Sequence, residues 1–183
     1  TVAWAQNEED ASTDITMQYD DYLPASSYEG EITITSGQDI LQVTSDGYLH
    51  AIGVGNATFT ANGTAHSVTV KKAKLNIVLV AGQSNATGVH GNRDAEPIVP
   101  AKGNSYWWTG SALTDLSEEV AKKTGTSVGW YPALAAEWYA LTGEKTVIIH
   151  QCVSGSPIGN WASYENGSVT ERTTATADVV KNC

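Results

Sequence analysis

"LNIVLVAGQSNATG", Leu75 to Gly88, is the stretch that decides how the second half of the chain is read. Leu75 to Ala81 is an almost continuous β-branched and apolar run, the composition of a strand buried on both faces of a parallel sheet. The run ends at Gly82, where a missing Cβ lets the backbone turn sharply, and the turn delivers Ser84 between two amide side chains. In a parallel α/β sheet, ligands gather beyond the carboxyl ends of the strands, and Ser84 lies at that end. A serine in such a turn is equally an ordinary helix N-cap.

Working outward, "TVIIHQC", Thr146 to Cys152, is a second run of the same kind. Between the two, "YPALAAEWYALTG" has Pro132 near its start and Gly143 just past its end. Leu134, Trp138 and Leu141 follow at i, i+4 and i+7, which predicts an amphipathic helix with those three on its buried side. Strand, crossover with helix and strand make a right-handed βαβ unit. After the second strand, "CVSGSPIGNW" places Gly155 in the next βα turn. A residue without Cβ there lets the backbone approach a reacting carbonyl, or simply makes a tight turn. Trp107, Trp108, Trp130, Trp161 and Tyr164 offer flat faces for a sugar ring or filling for an α/β core.

Ahead of this region the pattern changes. From Ile15 to about Lys72, "EITITSG" and "SVTVKK" alternate apolar and polar residues, as half-buried antiparallel strands do. Asp46-Gly47 and Asn62-Gly63 each separate two such runs, which is a strong hairpin signal because glycine reaches positive φ cheaply.

Composition limits the partners. Against 20 Asp plus Glu the 183 residues hold only 10 Lys plus Arg, a net charge of -10. Nucleic acid and anionic membrane surfaces both call for a basic footprint, which this chain lacks. No run of apolar residues is long enough to span a bilayer. Ala3-Trp4-Ala5 has the small-x-small form of an export cleavage site. Cys152 and Cys183 fit either one bridge or two thiols. The sequons at Asn56, Asn62, Asn85 and Asn166 have meaning only in a eukaryotic secretory pathway.

"GQSNATG" resembles the first motif block of the SGNH hydrolases, in the sialate O-acetylesterase and acetylxylan esterase branch, which reads Gly-Gln-Ser-Asn. "CVSGSPIGNW" resembles that branch's second block, Gly-Gly-Ser-x-Ile followed by Trp, with Ser154 standing in for the first glycine. The pair covers about residues 75–161, each block directly after a predicted strand. The nucleophile elbow Gly-x-Ser-x-Gly of the α/β-hydrolases is matched less well, because Ala86 replaces its last glycine. Roughly residues 30–72 resemble a bacterial immunoglobulin-like domain of the invasin/intimin type.

These resemblances imply an all-β immunoglobulin-like sandwich over residues 1–72. The N-terminal part of an SGNH esterase domain would follow over 73–183, flavodoxin-like α/β with three α/β/α layers, incomplete in this chain. They imply a secreted bacterial carbohydrate O-acetylesterase with an acetylated carbohydrate as substrate and neither metal nor cofactor. Ser84 would be the nucleophile, and its own backbone N–H and that of Gly155 oxyanion donors. Trp161 would be a pocket wall.

The family's Asp-x-x-His and Gln-Gly-Glu-x-Asp blocks are absent from the 183 residues. The resemblance therefore implies a C-terminal portion, in a separate or longer chain, that supplies the base and the remaining oxyanion group. This chain alone is then expected to be inactive, its sheet edge exposed. Within the chain, His90 and His150 are the alternatives for a base, while His50 and His66 belong to the β module as surface or hairpin residues. The competing reading is a non-catalytic extracellular protein that binds carbohydrate or presents a surface. A covalent serine probe separates the two.

Overall fold

The computed structural model describes residues 13–87, 98–121, 130–155 and 157. The chain divides into two compact units, Thr1–Ala73 and Lys74–Cys183.

Among the described residues the first unit holds seven strands: β1 (Thr13–Gln18), β2 (Tyr22–Pro24), β3 (Ile32–Ser36), β4 (Leu41–Val43), β5 (Tyr48–Ala51), β6 (Gly55–Ala61) and β7 (Thr64–Lys71). They form two sheets, in the orders β1-β7-β6-β3 and β2-β5-β4. Asn62-Gly63 joins β6 to β7 with both residues at positive φ, 49° and 80°, the geometry of a two-residue hairpin whose twist suits its strands. Period-two alternation then sends Ala57, Phe59 and Ala61 to the same side as Val68 and Val70. There they meet Leu41, Leu49 and Ala51 of the other sheet in one apolar core. Gly37 lies at φ 72°, and a Cβ on it would stand 2.7 Å from the Ala57 Cβ. At Gly47, φ 85°, a Cβ would meet nothing within 4 Å among the described residues, its chain neighbours aside. Gly37→Ala combines a left-handed residue with overpacking and is expected to destabilise by about 2–4 kcal/mol. Gly47→Ala adds only the conformational cost, about 1–2 kcal/mol. Equal drops in unfolding midpoint for the two variants would contradict this packing.

The second unit holds β8 (Leu75–Gly82), α1 (Ser84–Thr87), β9 (Ser105–Trp108), β10 (Leu113–Asp115), α2 (Leu116–Ala121), α3 (Tyr131–Thr142) and β11 (Lys145–Cys152). Their strands form one sheet in the order β10-β9-β11-β8. β11 runs parallel to both neighbours, β8 and β9. At the amino end of β11, Glu144 accepts hydrogen bonds from Lys74 Nζ at 2.6 Å and Asn76 Nδ2 at 3.0 Å, tying the starts of β8 and β11. The Lys145 side chain is fully buried, and its Nζ donates to the Gly103 carbonyl at 2.6 Å.

The expected fold class, an immunoglobulin-like sandwich followed by a three-layer flavodoxin-like SGNH domain, is not what the chain adopts. Strands dominate both units among the described residues, in three sheets, and helices are few and short. β1 joins β7 in parallel, so the larger sheet of the first unit is mixed where antiparallel strands throughout were expected. The sheet of the second unit is mixed too, because β10 turns back antiparallel on β9. Its described helices contribute Ala86, Leu116, Tyr131 and Ala135 to a cluster on one face. The cluster on the opposite face, Tyr106, Val147, Ile149 and Trp108, receives no residue from a described helix.

Three local expectations change with it. Residues 105–115 add a parallel strand and an antiparallel one to the two that were expected, and among the described residues β11, not β8, has a neighbour on both sides. β8 is not buried on both faces: Leu75, Ile77 and Leu79 are 46, 54 and 42 % exposed, and Val80 on the other face is buried. Helix α3 lies where expected, with Pro132 in its first turn and Gly143 at φ 67° ending it. Its buried side is instead Tyr131, Pro132 and Ala135, while Leu141 is 83 % exposed. The small Ala135 lets the helix approach Val80 and Ile148, a closeness that a leucine would prevent.

Candidate functional site

The site is built where β8 and β11 end. Gly82 closes β8 at φ 150°, and a Cβ there would stand 2.9 Å from the Ala86 Cβ, so only glycine lets α1 fold back this closely. Ser84 is the first residue of α1 and is half-buried. In the parallel ladder Gly82 is the register partner of Cys152, the last residue of β11. Pairing continues one residue further, where the Val153 N–H donates to the Gly82 carbonyl at 2.9 Å. The Cys152 thiol donates to the Val80 carbonyl at 3.2 Å. The two strands are thus stitched at their carboxyl ends, and the turns that carry Ser84 and Gly155 leave from the same end of adjacent parallel strands. Gly155 is exposed at φ 74°, and among the described residues, its chain neighbours aside, no atom lies within 4 Å of a Cβ placed on it.

His150 lies in register with Val80 and two residues before Cys152. Its ring stacks on Trp107, centroids 5.3 Å apart, and meets Tyr131 edge-on at 5.5 Å. It therefore fills the layer between sheet and α3, as does Trp107, whose ring also packs on Tyr131 at 5.3 Å. Trp108 packs on the opposite face of the sheet, and Trp130 is 49 % exposed at the start of α3. Trp161, Tyr164, His90 and Cys183 lie outside the described residues. Among the described residues, no group of three or more His, Cys, Asp or Glu side chains is placed to hold a metal ion.

Sequence reasoning weighed Cys152 only as a redox group and missed its place in the strand junction, which depends on a hydrogen-bond partner 72 residues away. Burial pushes its thiol above the ordinary range. A raised pKa lowers the thiolate fraction at neutral pH, and the thiolate is the reactive form. In a Cys183→Ser background, Cys152 is therefore expected to alkylate with iodoacetamide more slowly at pH 7.5 than an exposed peptide thiol, and to accelerate beyond pH 9. Rapid alkylation at pH 7.5 would contradict the strand junction described here.

No family model matches the chain, and no curated protein matches it. Among solved structures it is similar to a carbohydrate acetylesterase from Xanthomonas citri, at 16% identity and a TM-score of 0.32. The similarity covers 82% of this chain and 40% of that one, so the chain spans less than half the length of that enzyme.

Proposed function

We propose that the chain carries the nucleophile turn of a serine esterase that removes acetyl groups from carbohydrate. The observation that supports this reading best is the register pairing of Gly82 with Cys152, because it brings the turns of both motif blocks to one end of two hydrogen-bonded parallel strands. The blocks themselves, Gly82 to Asn85 and Ser154 to Ser156, are similar to those of the sialate O-acetylesterase and acetylxylan esterase branch of the SGNH hydrolases.

In this reading Ser84 Oγ attacks the acetyl carbonyl and its proton passes to a general base. The carbonyl oxygen, now negative, is held by the backbone N–H groups of Ser84 and Gly155. Collapse of the tetrahedral intermediate breaks the ester bond, and the sugar hydroxyl leaves with the proton returned by the base. Water, deprotonated by the same base, then releases acetate from Ser84. The packing of His150 between Trp107 and Tyr131 favours a base from elsewhere. We assign it, with a further oxyanion donor, to a C-terminal portion outside these 183 residues. Trp161 serves as a wall for the sugar, and the substrate is extracellular.

The test is a fluorophosphonate probe applied to the protein as its native host makes it, beside acetate release from acetylated xylan and O-acetylated sialic acid. Labelling at Ser84 together with acetate release is expected. No labelling at Ser84, or no acetate from either substrate, would overturn the proposal.

A further inference from the structure

Two hairpin turns of the first unit carry the same kind of dipeptide and hold it differently. Between β4 and β5 the Gly47 N–H donates to the Thr44 carbonyl at 3.1 Å, and the Ala25 N–H donates to the Gly47 carbonyl at 2.9 Å. Between β6 and β7 the last pair of the ladder is Ala61 with Thr64, so Asn62 and Gly63 stand outside it. Both are exposed. Among the described residues, neither the Gly63 N–H nor the Asn62 side-chain amide has a hydrogen-bond partner. An untied backbone nitrogen therefore follows directly on an untied carboxamide.

We propose that Asn62 is a site of spontaneous deamidation through a cyclic imide. The Gly63 nitrogen attacks Asn62 Cγ, so that a bond forms between them and the Cγ–Nδ2 bond breaks. Nδ2 leaves as ammonia with the proton that the Gly63 nitrogen gave up. Water then opens the ring at either carbonyl, leaving aspartate, or isoaspartate with the backbone routed through Cγ. Water is the sole co-reactant. Gly63 suits the attack because no Cβ shields its nitrogen. Ring closure needs a rotation within the turn, and the tip of a hairpin is where local opening costs least. Asn62 sits at φ 49°, so opening also releases a left-handed residue.

Other asparagines are held. Asn56 Oδ1 accepts from Thr69 Oγ1 at 3.0 Å, and Asn76 Nδ2 donates to Glu144 Oε2 at 3.0 Å. Breaking one such hydrogen bond first slows ring closure about three- to tenfold. Both also lie inside strands, and Ala57 and Ile77 set a Cβ beside the nitrogen that would attack. The product matters to the turn, because isoaspartate adds a methylene to a two-residue link. There is little room for it: a Cβ on Gly30 would already stand 3.3 Å from the Asn62 nitrogen. The site lies in the first unit and does not depend on the esterase reading.

The test holds the whole chain, made in bacteria so that the sequon at Asn62 stays unglycosylated, at pH 8 and 37 °C in oxygen-18 water. Peptide mass mapping follows it over several weeks, and circular dichroism checks that the chain stays folded. The peptide containing Asn62 is expected to gain the mass of an acid with one labelled oxygen and to split into aspartate and isoaspartate forms. Conversion there should be at least about tenfold faster than at Asn56 or Asn76, each held by a hydrogen bond. It should accelerate with pH, because the deprotonated nitrogen attacks. Asn62→Gly, whose Gly-Gly turn suits the same hairpin, should abolish the gain at that peptide. No conversion at Asn62 in the folded chain would overturn the proposal. So would conversion only after denaturation, equal conversion at Asn56 or Asn76, or aspartate without isoaspartate.

Discussion

Replacing Ser84 by alanine is expected to stop acetate release while leaving the fold in place. A nucleophile works as one unit with its base, so removing it costs about as much as removing the unit, roughly a million-fold in kcat. What remains is the stabilisation by oxyanion donors and binding, on the order of 10³ to 10⁴ over water. The competing role of Ser84, a cap at the start of α1, predicts a different pattern. Loss of a capping hydroxyl would lower stability by about 1 kcal/mol and spare the chemistry. Rate and unfolding midpoint measured on the same variant therefore separate the two. The assay is acetate release from acetylated xylan by the protein as its native host makes it. A variant that keeps more than about a tenth of the rate would leave Ser84 as a cap and remove it from the mechanism.

The contrast between what the sequence revealed and what it did not follows the range of the forces involved. Turn chemistry acts over a few residues, so Asn62-Gly63 and Gly143 were legible at once, and both have the positive φ that their roles require. Alternation is equally local and marked the strand from Ile32 to Ser36 and the one from Thr64 to Lys71. Direction and facing are settled by partners far along the chain. Nothing near Thr13 reveals that β1 will lie parallel to β7, whose residues are more than fifty positions away. The aromatic run Tyr106 to Trp108 shows no period, so its strand came to light only through its pairing with β11.

On α3, counting large apolar residues selected Leu134, Trp138 and Leu141, whereas the sheet selects the side that approaches most closely, Tyr131 and Ala135. The candidate site divides in the same way. That Ser84 and Gly155 follow two parallel strands of one βαβ unit was readable from the pattern, but the register that pairs Gly82 with Cys152 was not. His50 Nε2 lies 2.6 Å from Asp20 Oδ1, a contact between residues 30 apart to which no local signal points.

Gly155 carries the second large expectation, because its role rests on a backbone N–H that most substitutions leave intact. At φ 74°, with no atom of the described residues beyond its chain neighbours near a Cβ, Gly155→Ala bears the left-handed conformational cost, about 1–2 kcal/mol. Since 1.36 kcal/mol corresponds to a tenfold change in rate, a fall in kcat of about tenfold is expected if that whole cost appears in the transition state. Gly155→Pro differs in kind. Proline has no N–H and holds φ near −65°, so it removes the donor and cannot adopt the native turn. Loss of one oxyanion donor costs about 10² to 10³ in kcat. Because that hydrogen bond strengthens only as charge develops on the oxygen, the loss should appear in kcat with KM nearly unchanged. Gly155 is exposed in a turn after the last residue of β11, so neither change disturbs the cluster beneath, and each unfolding midpoint should fall only by the conformational cost of that turn. A proline variant no slower than the alanine variant would mean that the Gly155 N–H faces no reacting oxygen. The turn after β11 would then be a turn alone, and the oxyanion would have to be held from elsewhere.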